Sequence, residues 1–474
     1  MTRLLLRTGK WLLVVAALLL IAVFVSIPWA RIEMPQDLLP ADNRQPIAID
    51  NVNVVTVTSA GVLRDRQVLI EDGRIVDILP AGSTPNDRYL RIDGNGSYLS
   101  PGLFDMHVHA MDRKYLAMSL AYGVTSVRNM GGYPMHLRWK RELADGEWLG
   151  ANLFTATPTM NGRKNANPFG HKVVTDPEKA RRLVRKYHSQ GWDFVKAYTR
   201  LDVPVFEAII DEADKLDFPV AGHVPYPVVD ADYRLATPMV TLEHAEDVFQ
   251  GPLDYEYDEA ALDEIAATLR SMDATVTPTL MIFDHLTRLA REKRRFFDDF
   301  PMEFVNPMMK RFVDGTAGAR WLGASDQLVA SLERRNEFFG VITRVLHEHG
   351  VDLVLGTDWG AIYALPGVST HDEIDLLLAA GIPPDAVLPM ATVNAAAVLR
   401  VEGELGSIST GMVADLVVTK GNPLDDPATL RRPEAVVKNG QWLDRDALDA
   451  LLESARSPSG TFATFGRVLE FVFH

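Results

Sequence analysis

The sequence predicts an α/β chain built on a (β/α)₈ barrel, with a small β-domain made from the two flanks of that barrel and an apolar helix at the N-terminus. Three observations carry this prediction. Between Leu103 and Arg400 short apolar runs alternate with longer amphipathic ones, the pattern of successive βα units. The stretches on either side share a different texture, short alternating runs broken by Asp-Gly and Asn-Gly turns. Ahead of both stands an uncharged apolar stretch of the length a bilayer requires.

Composition narrows the function. The 474 residues suffice for a barrel-sized domain and a smaller companion, and a hydrophobic content of 47% marks the chain as globular. The formal charge of −15 leaves no basic excess to neutralise phosphates, which argues against nucleic acid as a partner. The absence of cysteine removes disulfides, thiolate ligands, a cysteine nucleophile and a lipid-modified cysteine anchor together. Any bound metal must take nitrogen and oxygen ligands.

Taken in order, residues 1–30 form a transmembrane anchor or a signal segment. Arg3, Arg7 and Lys10 precede the charge-free run Trp11–Ala30, with Trp11 and Trp29 where interfacial aromatics belong. A cleaved signal is the competing reading, but its apolar core is usually about 7–15 residues and Pro28-Trp29-Ala30 is a poor cleavage site. Either way the positive flank stays cytoplasmic, so the body of the chain is expected on the periplasmic or extracellular side. Residues 31–46, rich in Pro, Asp and Asn, read as a linker. Residues 47–101 and 401–445 form the composite β-domain, residues 102–400 the barrel and residues 446–474 a tail. The tail's Phe462, Phe465, Leu469, Phe471 and Phe473 read as core packing in preference to membrane contact.

The barrel strands are expected at residues 103–107, 124–128, 152–157, 194–198, 219–223, 240–244, 275–280 and 353–358. Between the last two, Met281–Glu337 is too long for one helix. Its aromatic and basic residues suit either a helical lid or extra helices packed on the barrel. The sequence is compatible with an oligomer.

Chemistry in such a barrel belongs at the C-terminal ends of the strands. His107 and His109 end the first strand, and spacing of i and i+2 puts both rings on one face. Lys196 interrupts an apolar fourth strand, while His223, His244 and Asp358 each stand where an apolar run stops. Singly, each is an ordinary turn or capping residue. Six residues from five strands in one phase point instead to a metal site. His347 and His349 make a control, since in a helix i and i+2 diverge by about 200° and cannot share an ion. His136, His171, His188, His285 and His474 lack strand-end context and read as structural.

These features together resemble the amidohydrolase superfamily, in its imidazolonepropionase-like and prolidase-like branch. The resemblance rests on Pro101-Gly102-Leu103 through His109, Gly123-Val124-Thr125-Ser126-Val127-Arg128, Asp193 through Tyr198, His223, Glu243-His244, Gly356-Thr357-Asp358, Ala391-Thr392-Val393-Asn394-Ala395-Ala396 and Gly411 through Val418. It spans Ile47 to Leu443.

The resemblance implies a distorted barrel beside a β-sandwich. It implies two divalent metal ions, usually Zn²⁺, with His107, His109 and Asp358 on one, His223 and His244 on the other, and Lys196 carboxylated on its amine as the bridge. The implied reaction is hydrolysis of an amide bond in a small molecule such as a dipeptide or N-acyl amino acid, by attack of a metal-bridging hydroxide with Asp358 as general acid and base. Tyr198 is expected to donate to the oxyanion or to fill the barrel mouth. His371 is expected to bind substrate or orient Asp358. Arg128 is expected either to bind a substrate carboxylate or to form an internal salt bridge. Cyclic amides, lactones and other esters remain alternatives, as does a non-catalytic metal-binding relic.

Overall fold

The computed structural model describes residues 24–40, 45–57, 61–83, 87–315 and 317–473. The first flank supplies β1 (Ile47–Val55), β2 (Val62–Glu71), β3 (Arg74–Pro80), β4 (Leu90–Asp93) and β5 (Tyr98–Pro101). The central region supplies β6 (Leu103–Val108), β7 (Val124–Asn129), β8 (Asn152–Thr155), β9 (Thr159–Asn161), β10 (His171–Val173), β11 (Val195–Ala197), β12 (Val220–Gly222), β13 (Thr241–Glu243), β14 (Thr275–Thr277) and β15 (Asp352–Leu353). The second flank supplies β16 (Leu416–Thr419), β17 (Ala435–Lys438) and β18 (Gln441–Asp444).

Both flanks enter one sheet, in the order β18-β17-β16-β5-β1-β2-β3 with β4 beside β1. β5 is the joint. Its Leu99 pairs in parallel with Val54 of β1 and antiparallel with Val418 of β16. The composite domain expected from the two flanks is therefore joined by hydrogen bonding that runs unbroken through β5. Ile47, Ile49, Val68, Leu99, Leu416 and Val437 bury a core of their own on it. The turns are those the sequence calls for, with Gly73 and Gly440 at positive φ.

The barrel strands are parallel and lie in two arcs, β6-β7-β8 and β10-β9-β11-β12-β13-β14-β15. Single bridges Ala156–Phe194 and Val108–Trp359 close the ring. Every residue of β6 and β7 is buried, as parallel strands covered on both faces must be. β9 and β10 are additions to the eight strands expected. The eighth barrel strand is only two residues long, yet the chain beyond it stays in register: Met106 N–H donates to Leu355 O at 2.8 Å and Asp358 N–H to His107 O at 2.7 Å. Gly356 permits this approach, since a Cβ there would lie 2.9 Å from His107 N and 2.5 Å from Thr277 Cγ2.

The long insert folds as packed helices, Leu280–Glu292, Pro307–Gly315 and Ala317–Leu322 among them, ahead of the helix Asp326–Glu348. Phe296, Phe304, Val313 and Trp321 bury together with Met118 and Tyr363. His349 sits at the C-terminal cap of Asp326–Glu348 and reaches Asp263 at 3.1 Å, a surface contact.

The segment expected to span a membrane lies mostly outside the described residues, which take it up as a helix at residues 24–32. Among the described residues no helix is long and apolar enough to cross a membrane. The tail departs from its expectation. In the helix Thr461–Phe473 only part of the aromatic set is packed: Phe471 is buried, but Phe462 and Phe473 remain 43% and 68% exposed.

Candidate metal centre

The alternation of β6 puts Asp105, His107 and His109 on one face. Around them the strand ends bring Lys196, His223, His244 and Asp358, so the six residues expected as ligands converge at one end of the barrel. The ring centroids of His107 and His244 lie 4.6 Å apart, and those of His223 and His244 lie 4.7 Å apart. His109 Nε2 is 2.9 Å and His107 Nε2 3.6 Å from Asp358 Oδ1. Potential donor atoms of His107, His244 and Asp358 all fall within 4.8 Å of one another. His244 and Asp358 hold positive φ angles of 71° and 62°, conformations that non-glycine residues keep only under surrounding constraint.

Three of the four histidines are fixed from behind. Nδ1 of His107 meets Glu243 Oε2 at 2.7 Å, Nδ1 of His223 meets Asp247 Oδ1 at 3.0 Å, and Nδ1 of His244 meets Thr279 Oγ1 at 2.6 Å. With Nδ1 engaged, each ring has Nε2 left as the lone-pair donor, the arrangement of metal-bound imidazoles. Burial lowers His107 to about 4 and His223 to about 3, with the Lys196 charge adding to it, and holds His244 well below its usual value. Neutral imidazole is the ligating form.

Lys196 is buried, and its Nζ has no hydrogen-bond partner among the described residues. Burial depresses the amine to about 8, against the opposing pull of Glu243. A long cationic side chain orphaned among three carboxylates and four imidazoles is costly as it stands. The donor set, all nitrogen and oxygen and open to the mouth through the partly exposed His109, suits divalent cations in a reactive site. Asp358 is raised by burial, but hydrogen bonding and charge from His109, with His107 and His244, hold it below the ordinary carboxylate range.

Tyr198 follows β11 at the mouth, its ring 4.6 Å from that of His223. Burial pushes its phenol far upward, so it stays a proton donor. Arg128 requires a correction. It does not face the mouth to bind a substrate carboxylate: Nε donates to Met106 O at 2.6 Å, one terminal nitrogen to Thr241 Oγ1 at 2.7 Å and the other to Glu243 Oε1 at 2.7 Å. All three nitrogens are spent inside the barrel, the internal salt bridge of the two roles expected. His371 is likewise corrected. Its Nε2 donates to the Tyr122 carbonyl at 2.9 Å and its ring is buried against Tyr122, so it is committed to helix packing, with no hydrogen bond to substrate space or to Asp358 among the described residues.

Sequence reasoning missed the residues that stand behind the ligands. In the sequence Glu243 stands out only as the neighbour of His244. Asp105 accepts from Thr357 N at 3.1 Å, Thr357 Oγ1 at 2.8 Å and Thr370 Oγ1 at 2.9 Å, tying the first barrel strand to the eighth; burial raises it to about 7. An acidic residue in phase with two histidines inside an apolar strand was its available signal. His171, read as structural, is carried by β10 to 4.9 Å from the Tyr198 ring, where burial, Lys196 and His109 lower it to about 4.

The family model described as "Amidohydrolase family" matches residues 98–443. A solved structure of bottromycin amidohydrolase superposes with a TM-score of 0.75 at 26% identity, covering 91% of this chain and 96% of that one. A Xaa-Pro dipeptidase structure with bound methionine in the active site shares the fold, with a TM-score of 0.63, 20% identity and coverage of 84% and 100%. Imidazolonepropionase from Stenotrophomonas maltophilia is 48% identical over 62 residues, which is 12% of this chain and only 15% of that protein's length.

Proposed function

The chain belongs to the amidohydrolase family and is a hydrolase acting on C–N bonds, and from that premise we propose that it cleaves the amide bond of a dipeptide or an N-acyl amino acid at a centre of two divalent ions. The observation that carries this reading is the orphaned Nζ of Lys196 among histidines whose Nδ1 atoms are tied back. His107, His109 and Asp358 would hold one ion and His223 and His244 the other, with Zn²⁺ the best match to the donors. Lys196 would lie between them as an N-carboxylated, anionic bridge. An ammonium would repel both cations, and burial already favours the neutral amine that adds carbon dioxide.

When bound, such ions would supply Lewis acidity toward a substrate carbonyl and would bring the acidity of water into the neutral range. The chain's own residues do the rest. Asp358 takes the water's proton on a carboxylate oxygen and delivers it to the leaving nitrogen. Tyr198 keeps its phenolic proton and donates to the developing oxyanion. Support for an amide substrate comes from the bottromycin amidohydrolase likeness.

The test is elemental analysis of the purified full chain together with hydrolysis of a panel of dipeptides, N-acyl amino acids and lactones. The expected outcome is about two ions per chain, as in two-metal hydrolases, and turnover of the amides. Absence of metal overturns the centre, and turnover confined to lactones overturns the substrate class.

A further inference from the structure

Large apolar side chains exposed to solvent are not scattered evenly over this protein. Among the described residues, seven of the thirteen most exposed lie on two short helices, residues 24–32 and Thr461–Phe473. Phe24 is 74% exposed, Trp29 52%, Ile32 74% and Phe473 68%, with Phe462 and Val472 above 40%. Along the C-terminal helix the outward set is Phe462, Phe465, Leu469, Val472 and Phe473, spaced as one face of an α-helix. The opposite face is buried: Ala463, Thr464, Gly466, Arg467, Glu470 and Phe471. Contiguous apolar faces of this kind mark an interaction surface.

The two helices are fixed to each other and to the barrel rim. Gly466 lets them touch, since a Cβ there would fall 2.1 Å from Ser26 O and 2.9 Å from Ala30 Cβ. Arg31 pairs with Glu470 at 2.8 Å and Arg467 with Glu33 at 2.5 Å. Arg467 also donates to Met111 O at 3.0 Å, in the loop after β6, and the Phe471 ring lies tilted against Tyr133, after β7, with centroids 4.8 Å apart. Lys172, in β10, lies over the Phe471 ring at 4.9 Å. The apolar face thus rides on the loops that surround the mouth of the metal centre.

We propose that this two-helix face docks on a lipid bilayer, seating the barrel mouth at the membrane surface. The position of the apolar run decides the occupant. Trp11–Ala30 has 20 residues, about 30 Å as a helix, which equals the hydrocarbon thickness of a bilayer. Ala30 would then mark the hydrocarbon boundary, and Ser26, where Gly466 touches, would lie about 6 Å inside it. That is the depth at which amphipathic surface helices sit, roughly 5–10 Å into the headgroup and acyl boundary. Trp29, Arg31 and Lys172 around the apolar residues are the side chains such a boundary accommodates.

The chain has no cysteine, so single cysteines report without background. Full-length protein with Phe462→Cys, Phe473→Cys or, as a control on the small sheet, Val76→Cys is labelled with a fluorophore and reconstituted into phosphatidylcholine–phosphatidylglycerol vesicles. Lipids carrying a nitroxide near the headgroup should quench positions 462 and 473 several-fold more than position 76. Quenching of 462 and 473 by aqueous iodide alone overturns the proposal. So does shielding from both quenchers, which would mean that residues 1–23 cover the face, and so does self-quenching that vanishes on dilution, which would mean a second copy. None of these readouts depends on activity or metal, so the outcome is independent of the proposed reaction.

Discussion

The carboxylate of Glu243 lies between the ring of His107, 2.7 Å from Oε2, and the guanidinium of Arg128, 2.7 Å from Oε1, with none of the three exposed by more than a few per cent. Burial alone would raise Glu243, but Arg128 and His107 hold it well below the usual range. It is therefore a fixed anion that orients His107 Nδ1–H and leaves Nε2 for the ion. Glu243→Gln keeps the shape and removes the charge, and such changes behind a ligand weaken metal affinity about 10–100-fold. Chelator competition measures the loss; unchanged affinity in folded protein would count against the role.

Lys196→Ala removes the group proposed to bridge two ions. Metal content is expected to drop from two ions toward one, with activity lost and partly restored by millimolar propionate or another short carboxylic acid. Full activity of the variant without any added acid would refute the bridge.

Arg128→Lys separates structure from substrate binding. The lysine cannot reproduce contacts to Met106 O, Thr241 and Glu243 at once, and disrupting a buried pair costs on the order of 3–5 kcal/mol. Thermal unfolding should occur several degrees lower while KM for the best amide stays near wild type. A raised KM with unaltered unfolding would restore Arg128 to the substrate.

Glu373 gives a pH-dependent stability signal away from the ligands. Its Oε2 accepts from Met281 N–H at 2.6 Å, and burial raises the group from 4.5 to about 8. The folded protein thus binds this proton more tightly than the unfolded chain. The associated stability is present below pH 4.5 and is lost as pH rises toward 8, at a slope of at most about 1.4 kcal/mol per pH unit. Glu373→Gln, which cannot titrate, should gain on wild type between pH 5 and pH 8 in calorimetry. Parallel curves would remove Glu373 from the account.

Much of the centre was legible because strands encode side-chain direction in a period of two. His107 and His109 share a face for that reason, and His223, His244 and Asp358 were found because each ends an apolar run. What stood behind them was hidden, because it depends on neighbours that only the closed ring supplies. The partner of Glu243 comes from β7, and that of Asp105 from Thr357 and Thr370, more than two hundred residues away. The inward turn of Arg128 follows from the same closure. The small sheet's texture was readable in both flanks, whereas its continuity through β5 is a pairing choice that no local pattern records. The tail misled because its aromatic residues alternate between a buried and an exposed helix face.

The joint at β5 also sets an order of assembly. Leu99 cannot find Val418 until the chain has grown by more than three hundred residues, so one edge of β5 waits unpaired while the whole barrel is synthesised. β5 leads through Gly102 straight into the strand that carries His107 and His109, and Gly102 N–H itself donates to Asp415 O at 2.8 Å. At the base of that strand Leu103 N–H can bond Gly123 O early, at 2.9 Å, whereas the Gly102 bond waits until Asp415 has been made. A nascent chain stalled before β16 would expose an open sheet edge, and chaperone dependence should concentrate in that interval.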